Sequence, residues 1–184
     1  MSTFTPSTPS ETRWTYESYA AIPNDGKRHE IIEGEHFVNP APNLYHQQIS
    51  RRLQFQLYKS IELAGLGVVI NAPVDVQLSD QDIVQPDLVI IRKANSYIMT
   101  PTKVKGIPDL LVEILSPSNS AHDLETKRQV YERCRVPEYW IVFPDEHQVL
   151  QLKLTGGVFQ EHYVSIEIEF DVPPMIRVDL RKVW

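Results

Sequence analysis

A single cysteine in 184 residues is the first constraint. Cys134 has no partner within the chain, so no internal disulfide forms, and the reading that fits is a protein of the reducing cytoplasm. The six histidines are scattered and bring no thiol pair with them, which argues against zinc. No apolar stretch approaches the ~20 residues a membrane-spanning helix needs, so no membrane partner is expected. The start, Met1-Ser2-Thr3-Phe4-Thr5-Pro6, has neither basic residues nor an apolar segment, and no secretory signal is expected. Positive charge is also scarce. With 18 Lys+Arg against 24 Asp+Glu the net charge is −6, which argues against a protein that coats nucleic acid indiscriminately but not against a local basic face around an acidic metal site. No phosphate-binding glycine loop is present, and Ser116-Pro117-Ser118 lacks the glycines of a nucleophile elbow.

What remains is an ordinary globular composition, 42% hydrophobic and 23% charged, in a chain long enough to bury roughly 70% of its unfolded surface in one domain. Residues 1–13, rich in Ser, Thr and Pro, read as a disordered tail, and 14–184 as a single domain. Thr15 caps a short helix ended by Pro23 and Asn24-Asp25-Gly26, and residues 28–38 read as two strands around Glu33-Gly34-Glu35. The clearest helix spans 44–64, with Ile49, Leu53, Leu57 and Ile61 as its apolar stripe; His46, three residues before Ile49, points inward with them. Strands are expected at 68–71, 74–78, 85–92, 109–115, 139–143, 148–154, 158–164 and 175–183. A polar loop is expected at 93–108, and a helix from Ser120 or Asp123 to Cys134. This order predicts an α/β (α+β) fold with a mixed central sheet flanked by helices.

Two acids stand out. Glu113 lies inside Leu110-Leu111-Val112-Glu113-Ile114-Leu115, an apolar run that reads as a strand buried on both faces, and Asp87 opens the similar run Pro86-Asp87-Leu88-Val89-Ile90-Ile91. A carboxylate in such an interior costs several kcal/mol unless a cation or hydrogen-bond donors compensate it, so the pair points to a shared cation. On the helix after Glu113 the inward stripe is Leu124, Lys127, Tyr131 and Cys134, which aims an ammonium at the same sheet. Each residue alone reads as half of a buried ion pair; the three together read as a catalytic cluster. Asp109, four residues before Glu113, falls at the strand's start and reads as a turn residue.

These residues resemble the Uma-type restriction endonucleases, a branch of the PD-(D/E)XK nuclease superfamily. The resemblance runs from about Arg28 to Val149. It comprises the His29-Glu30-Ile31-Ile32-Glu33-Gly34-Glu35 hairpin, His46 and its helix, Pro86-Asp87, and Pro108-Asp109 through Glu113 to Ser118. The Asp123–Lys127–Tyr131 spacing and Pro137-Glu138-Tyr139-Trp140-Ile141-Val142 complete it. Each piece is weak, but the ordered set is specific. The resemblance implies a restriction-endonuclease-like core and a magnesium-dependent endonuclease, with Mn²⁺ as a substitute ion, that hydrolyses DNA phosphodiesters. In it Asp87, Glu113 and the backbone carbonyl of Ile114 hold the metal. The superfamily's lysine usually stands two residues after the glutamate; Leu115 occupies that position here, and Lys127 resembles the displaced lysine of this branch. Arg135-Val136 departs from the Gly-Val usual before Pro-Glu-Tyr-Trp and reads as a turn change. Glu30 resembles the family's additional acid, against the alternative of an exposed hairpin charge. His46 is a proton shuttle or outer donor, against the alternative of a core histidine.

Duplex DNA is the expected partner, with backbone contacts sought at Arg51, Arg52 and Lys59 on the long helix and, by preference, at Lys103 and Lys105 on the loop. A homodimer follows from the need to cut two strands. The rival reading is a catalytically inactive module that binds nucleic acid or a protein; a junction-cutting resolvase is a third.

Overall fold

The computed structural model describes residues 13–116, 122–171 and 174–184, without the side chains of 122–124. Residues 1–12 of the expected tail, the break after Ser116, the cap at Ser120 and the side chains of Asp123 and Leu124 lie outside these. The chain enters through α1 (Tyr16–Ala20), where Ser18 Oγ accepts from Thr15 N–H at 2.8 Å, and forms the hairpin β1 (Arg28–Ile32) and β2 (Glu35–Asn39). Glu33 at φ 54 and Gly34 at φ 78 make the two-residue turn between them, a left-handed pair that matches the strand twist. Asp82 fastens this turn by accepting Glu33 N–H at 3.0 Å.

The helix expected over 44–64 is α2 (Leu44–Leu57), extended by a wider π-type turn at Tyr58–Glu62 whose bonds reach five residues, Tyr58 O from Leu63 N–H and Ile61 O from Leu66 N–H. The predicted stripe Ile49, Leu53, Leu57 and Ile61 is completely buried. Strands β3 (Gly67–Asn71), β4 (Val76–Gln77), β5 (Ile83–Val84) and β6 (Leu88–Arg92) follow. The strand expected at 85–92 begins only at Leu88, as β6 of one sheet, while β5, just before it, belongs to another. Pro86 sits at the break, where its missing N–H ends a ladder. The loop at 93–108 contains a 3₁₀ turn, Lys93–Ile98, and β7 (Val104–Lys105), and leads to β8 (Leu110–Ile114). After it come a π-type segment at His122–Lys127, α3 (Arg128–Arg133), β9 (Glu138–Phe143), β10 (Gln148–Thr155) and β11 (Val158–Val164). The chain ends in β12 (Glu167–Phe170), which the sequence reading missed, and β13 (Ile176–Asp179). The strand expected at 175–183 stops at Asp179, and a 3₁₀ turn, Leu180–Lys182, replaces its end.

The expected mixed central sheet has the order β11-β10-β9-β8-β6-β3, antiparallel except for the β8–β9 pair. A second sheet, β2-β1-β5-β4-β7, and the β12–β13 hairpin were not foreseen. Alternation along the central strands divides the core. Leu88, Ile90, Leu110, Val112, Trp140 and Val142 face α2 and the C-terminal hairpin. Val89, Ile91, Leu111, Tyr139 and Ile141 face the second sheet and α3, in the cluster that holds Tyr131. Each face carries a continuous apolar layer, so the acids on these strands stand out against it. No helix among the described residues is long and apolar enough to cross a membrane.

Candidate active site

β6 and β8 run antiparallel with Leu88 opposite Val112, so the next step along each strand brings Asp87 beside Glu113. Pro86 stops the ladder there, and the Asp87 side chain takes over its work: Oδ2 accepts the Ile114 backbone N–H at 2.9 Å. In extended backbone the carbonyl of a residue points to the same side as its N–H, so Ile114 C=O also faces Asp87. His46 reaches the same carboxylate oxygen from the first turn of α2, Nε2 at 2.9 Å, while Asn43 caps that helix by accepting His46 N–H at 2.8 Å. Arg28 Nη1 donates to Asp87 Oδ1 at 3.2 Å, and its Nη2 to the Gln85 carbonyl. Burial pushes the Asp87 carboxyl upward, but His46, Arg28 and the Ile114 amide together hold it below the usual aspartate range.

Glu113 lies on the face of β8 that looks toward α3. Its Oε1 accepts from Lys127 Nζ at 2.7 Å and from Tyr131 Oη at 3.0 Å. Lys127 is only 1% exposed and makes a second ion pair, 3.0 Å to Glu30 Oε1. Glu30 is completely buried and is fastened by Gln85 N–H at 2.6 Å and Asn39 Nδ2 at 2.5 Å, so the exposed-hairpin alternative is overturned. Burial raises the Glu30 carboxyl, and the Lys127 ammonium with these bonds more than offsets it, leaving it below the usual glutamate range.

Asp87, Glu113, Ile114, Lys127, Glu30 and His46 therefore meet, from β6, β8, β1, α2 and the segment before α3. A narrow inner pocket touches Arg28, His46, Asp87, Glu113, Ser116 and Lys127. Arg28, His46 and Asp87 also line an open cleft of about 680 Å³ that continues past Lys27 and Arg51. The Nδ1 of His46 and the Nε of Arg28 are buried and without a partner among the described residues.

Residues 16–180 match the Uma2 family, whose description is "Putative restriction endonuclease". The chain belongs to the Uma2 family. The crystal structure of a putative nuclease belonging to DUF820 from Anabaena variabilis ATCC 29413 has a TM-score of 0.75 to it, covering 92% of this chain and 96% of that one at 16% identity. At that identity the likeness establishes a shared fold, so this Uma2 chain has the mixed α+β architecture of that protein. No curated protein matches.

Sequence reading missed Arg28, Asn39 and the role of Tyr131. Arg28 lies two residues before Glu30 on β1, and Asn39 pairs with Arg28 across the hairpin. Strand alternation would have placed both on the Glu30 face. Tyr131 had been placed on the Lys127 stripe without a function. Asp109 is confirmed away from the cleft: it accepts from Arg92 N–H at 2.7 Å and Asn95 Nδ2 at 2.7 Å. Of the basic residues sought for DNA, Arg51 lines the cleft. Lys103, on the favoured loop, is instead held by Gln77 Oε1 at 2.7 Å over the Tyr16 ring.

Proposed function

We propose that this Uma2 chain, as a single domain over 14–184, is a Mg²⁺-dependent endonuclease that hydrolyses DNA phosphodiester bonds, with Mn²⁺ as a substitute ion. The observation that carries this reading is the meeting of Asp87, Glu113 and Lys127 at a pocket that opens into a cleft lined by Lys27, Arg28 and Arg51. The donor set fits such an ion. Asp87, Glu113 and the Ile114 carbonyl are hard oxygen ligands, and Mg²⁺ takes one or two carboxylates and keeps several waters.

Charge supports the same reading. Leaving His46 aside, Glu30, Asp87 and Glu113 contribute three negative charges and Arg28 and Lys127 two positive ones. The cluster is thus one short of balance; a divalent ion and one phosphodiester together bring it to neutrality. When bound, the ion supplies polarisation of a phosphoryl oxygen and a more acidic water. Lys127, held between Glu30 and Glu113, orients the water or stabilises charge on phosphorus, an effect worth about 10²–10³ in rate for one donor. Glu30 and Tyr131 fix the positions of Lys127 and Glu113. His46 keeps Asp87 oriented through Nε2, and its open Nδ1 is available to hand on a proton.

Cutting duplex DNA in both strands calls for two such sites, which a homodimer provides. The lone, half-buried Cys134 accords with a cytoplasmic setting. The test is nicking of supercoiled plasmid across a Mg²⁺ or Mn²⁺ titration. Cutting that persists in excess chelator, or in a folded Asp87→Ala protein, overturns the reading.

A further inference from the structure

A second groove, of about 550 Å³, lies beyond the cleft along α2, and the reaction does not use it. Its lining contains Arg51, Arg52, Lys59, Arg177 and Lys182 and no acidic residue. In a chain of net charge −6 this is a marked segregation of charge. Arg51 lines both the groove and the cleft, so the two adjoin at this side chain. The positions follow from the helix. Ile49, Leu53 and Leu57 are buried against the sheet, which turns Arg51, Phe55 and Lys59, spaced at four residues, outward. The hairpin brings the other wall: Gln56 Nε2 donates to Asp179 O at 3.1 Å, and Gln56 Oε1 accepts Asp179 N–H at 2.9 Å, setting Arg177 and Lys182 across from α2. Arg177 pairs with Glu169 at 3.0 Å and Lys182 with Asp179 at 3.4 Å, which trims the field on that wall. Arg52 spends one nitrogen on the Val183 carbonyl at 3.0 Å. Arg51 and Lys59 have no ion-pair partner among the described residues. Phe55, 67% exposed within the groove, offers an apolar face to a sugar edge.

We propose that this groove holds the phosphate backbone of the duplex flanking the cut, an inference that rests on the nuclease reading and extends its footprint. From His46 to Lys59 the helix advances about 20 Å at ~1.5 Å per residue, which is about six base pairs of duplex at ~3.4 Å each. The groove therefore binds DNA on one side of the reacting phosphate, without reading sequence.

The experiment measures duplex binding in chelator against salt concentration, using one duplex of about 30 base pairs and one of about eight, which when centred on the reacting phosphate extends about 14 Å to each side and stops short of Lys59. The proteins are wild type, Arg52→Gln/Lys59→Gln, Lys59→Gln alone and Arg177→Gln/Lys182→Gln, each checked by thermal melting. On the long duplex the Arg52→Gln/Lys59→Gln pair is expected to bind about 10- to 100-fold more weakly at ~0.1 M salt, with the salt slope reduced by about two. The hairpin pair is expected to weaken binding less, and on the short duplex the loss is expected to be smaller in every variant and absent in Lys59→Gln. Long-duplex binding unchanged within about twofold in every variant overturns the inference, including the case in which the groove serves a protein partner. Wild type that binds and cuts beside unaffected variants removes this inference alone. Wild type that binds neither duplex removes the nuclease reading with it. Loss of binding in the variants without cutting in any metal keeps the groove as a DNA-backbone surface and removes the nuclease reading, and with it the placement beside a cut.

Discussion

Strands β8 and β9 start beside one pair of buried acids, and β8 ends beside another. At the start, Asp109 is 2% exposed and Glu138 5%; at the other end Glu113 is 3% and Asp87 4%. Burial is the same, so burial is not what separates them. Asp109 is satisfied by the adjoining Arg92 and Asn95. Glu138 Oε1 accepts from Trp140 Nε1 and Gln151 Nε2, both at 2.6 Å, and burial raises its carboxyl above the usual range despite those bonds. Neither lines the cleft or the inner pocket. At the other end the donors come from β1, α2 and the segment before α3, the carboxyls of Asp87 and Glu30 are lowered, and Asp87 faces the opening. A buried carboxylate that its own neighbourhood satisfies fastens the fold. One that several elements converge upon, with more charge than they cancel, is available for a ligand.

The sharpest way to break this contrast is to compare substitutions at the two ends. Asp87→Ala and Glu113→Ala are expected to lower metal-dependent cutting by at least about 10²–10³-fold, and Glu138→Gln to leave it unchanged. A plasmid-nicking time course with melting controls checks this. Equal loss in all three proteins would place both ends in one role.

Next in size is Lys127→Met. Removing it leaves Glu30 and Glu113 buried without their shared cation, which typically costs about 3–5 kcal/mol. Chemical denaturation measures this. Adding Glu30→Gln is expected to recover part of the stability and none of the rate. By contrast Asp109→Ala is expected to cost about 1–3 kcal/mol through the freed Arg92 amide and Asn95, with cutting intact below the melt.

The two ends were not equally legible in the sequence. Asp87, Glu113 and Lys127 could be found because a charge inside an apolar run or stripe breaks a periodic pattern, and α2 could be drawn because its stripe is regular. Arg28 and Asn39 lie in a short hairpin where polar residues are ordinary, so only the pairing of β1 with β5 and the reach of Arg28 to Asp87 give them meaning. The late start of the strand expected at 85–92 was hidden because residues 83–92 serve two sheets in close succession, and only Pro86 marks the border. Arg135 is the opposite case. Its departure from glycine was visible, and its φ of 65 is the left-handed conformation that glycine enters freely.

The smallest effect is a difference in sign with pH. Glu30 and Asp87 have lowered carboxyls, so the stability they contribute is full above the unfolded carboxylate values and is lost as pH falls through the folded ones. Asp87→Asn and Glu30→Gln should therefore be destabilising at neutral pH, and the penalty should shrink in acid. Glu138 is raised, so its protonated form favours the fold, and that contribution is lost as pH rises through the folded value. Both of its bonds are accepted by one oxygen, which the amide of Glu138→Gln keeps, so this variant should melt higher than wild type at neutral pH and equal it in acid. Melting temperatures from pH 3 to 8 measure both slopes, and slopes of the same sign at the two ends would mean that the cluster holds its acids as Glu138 is held, by burial rather than by opposing charge.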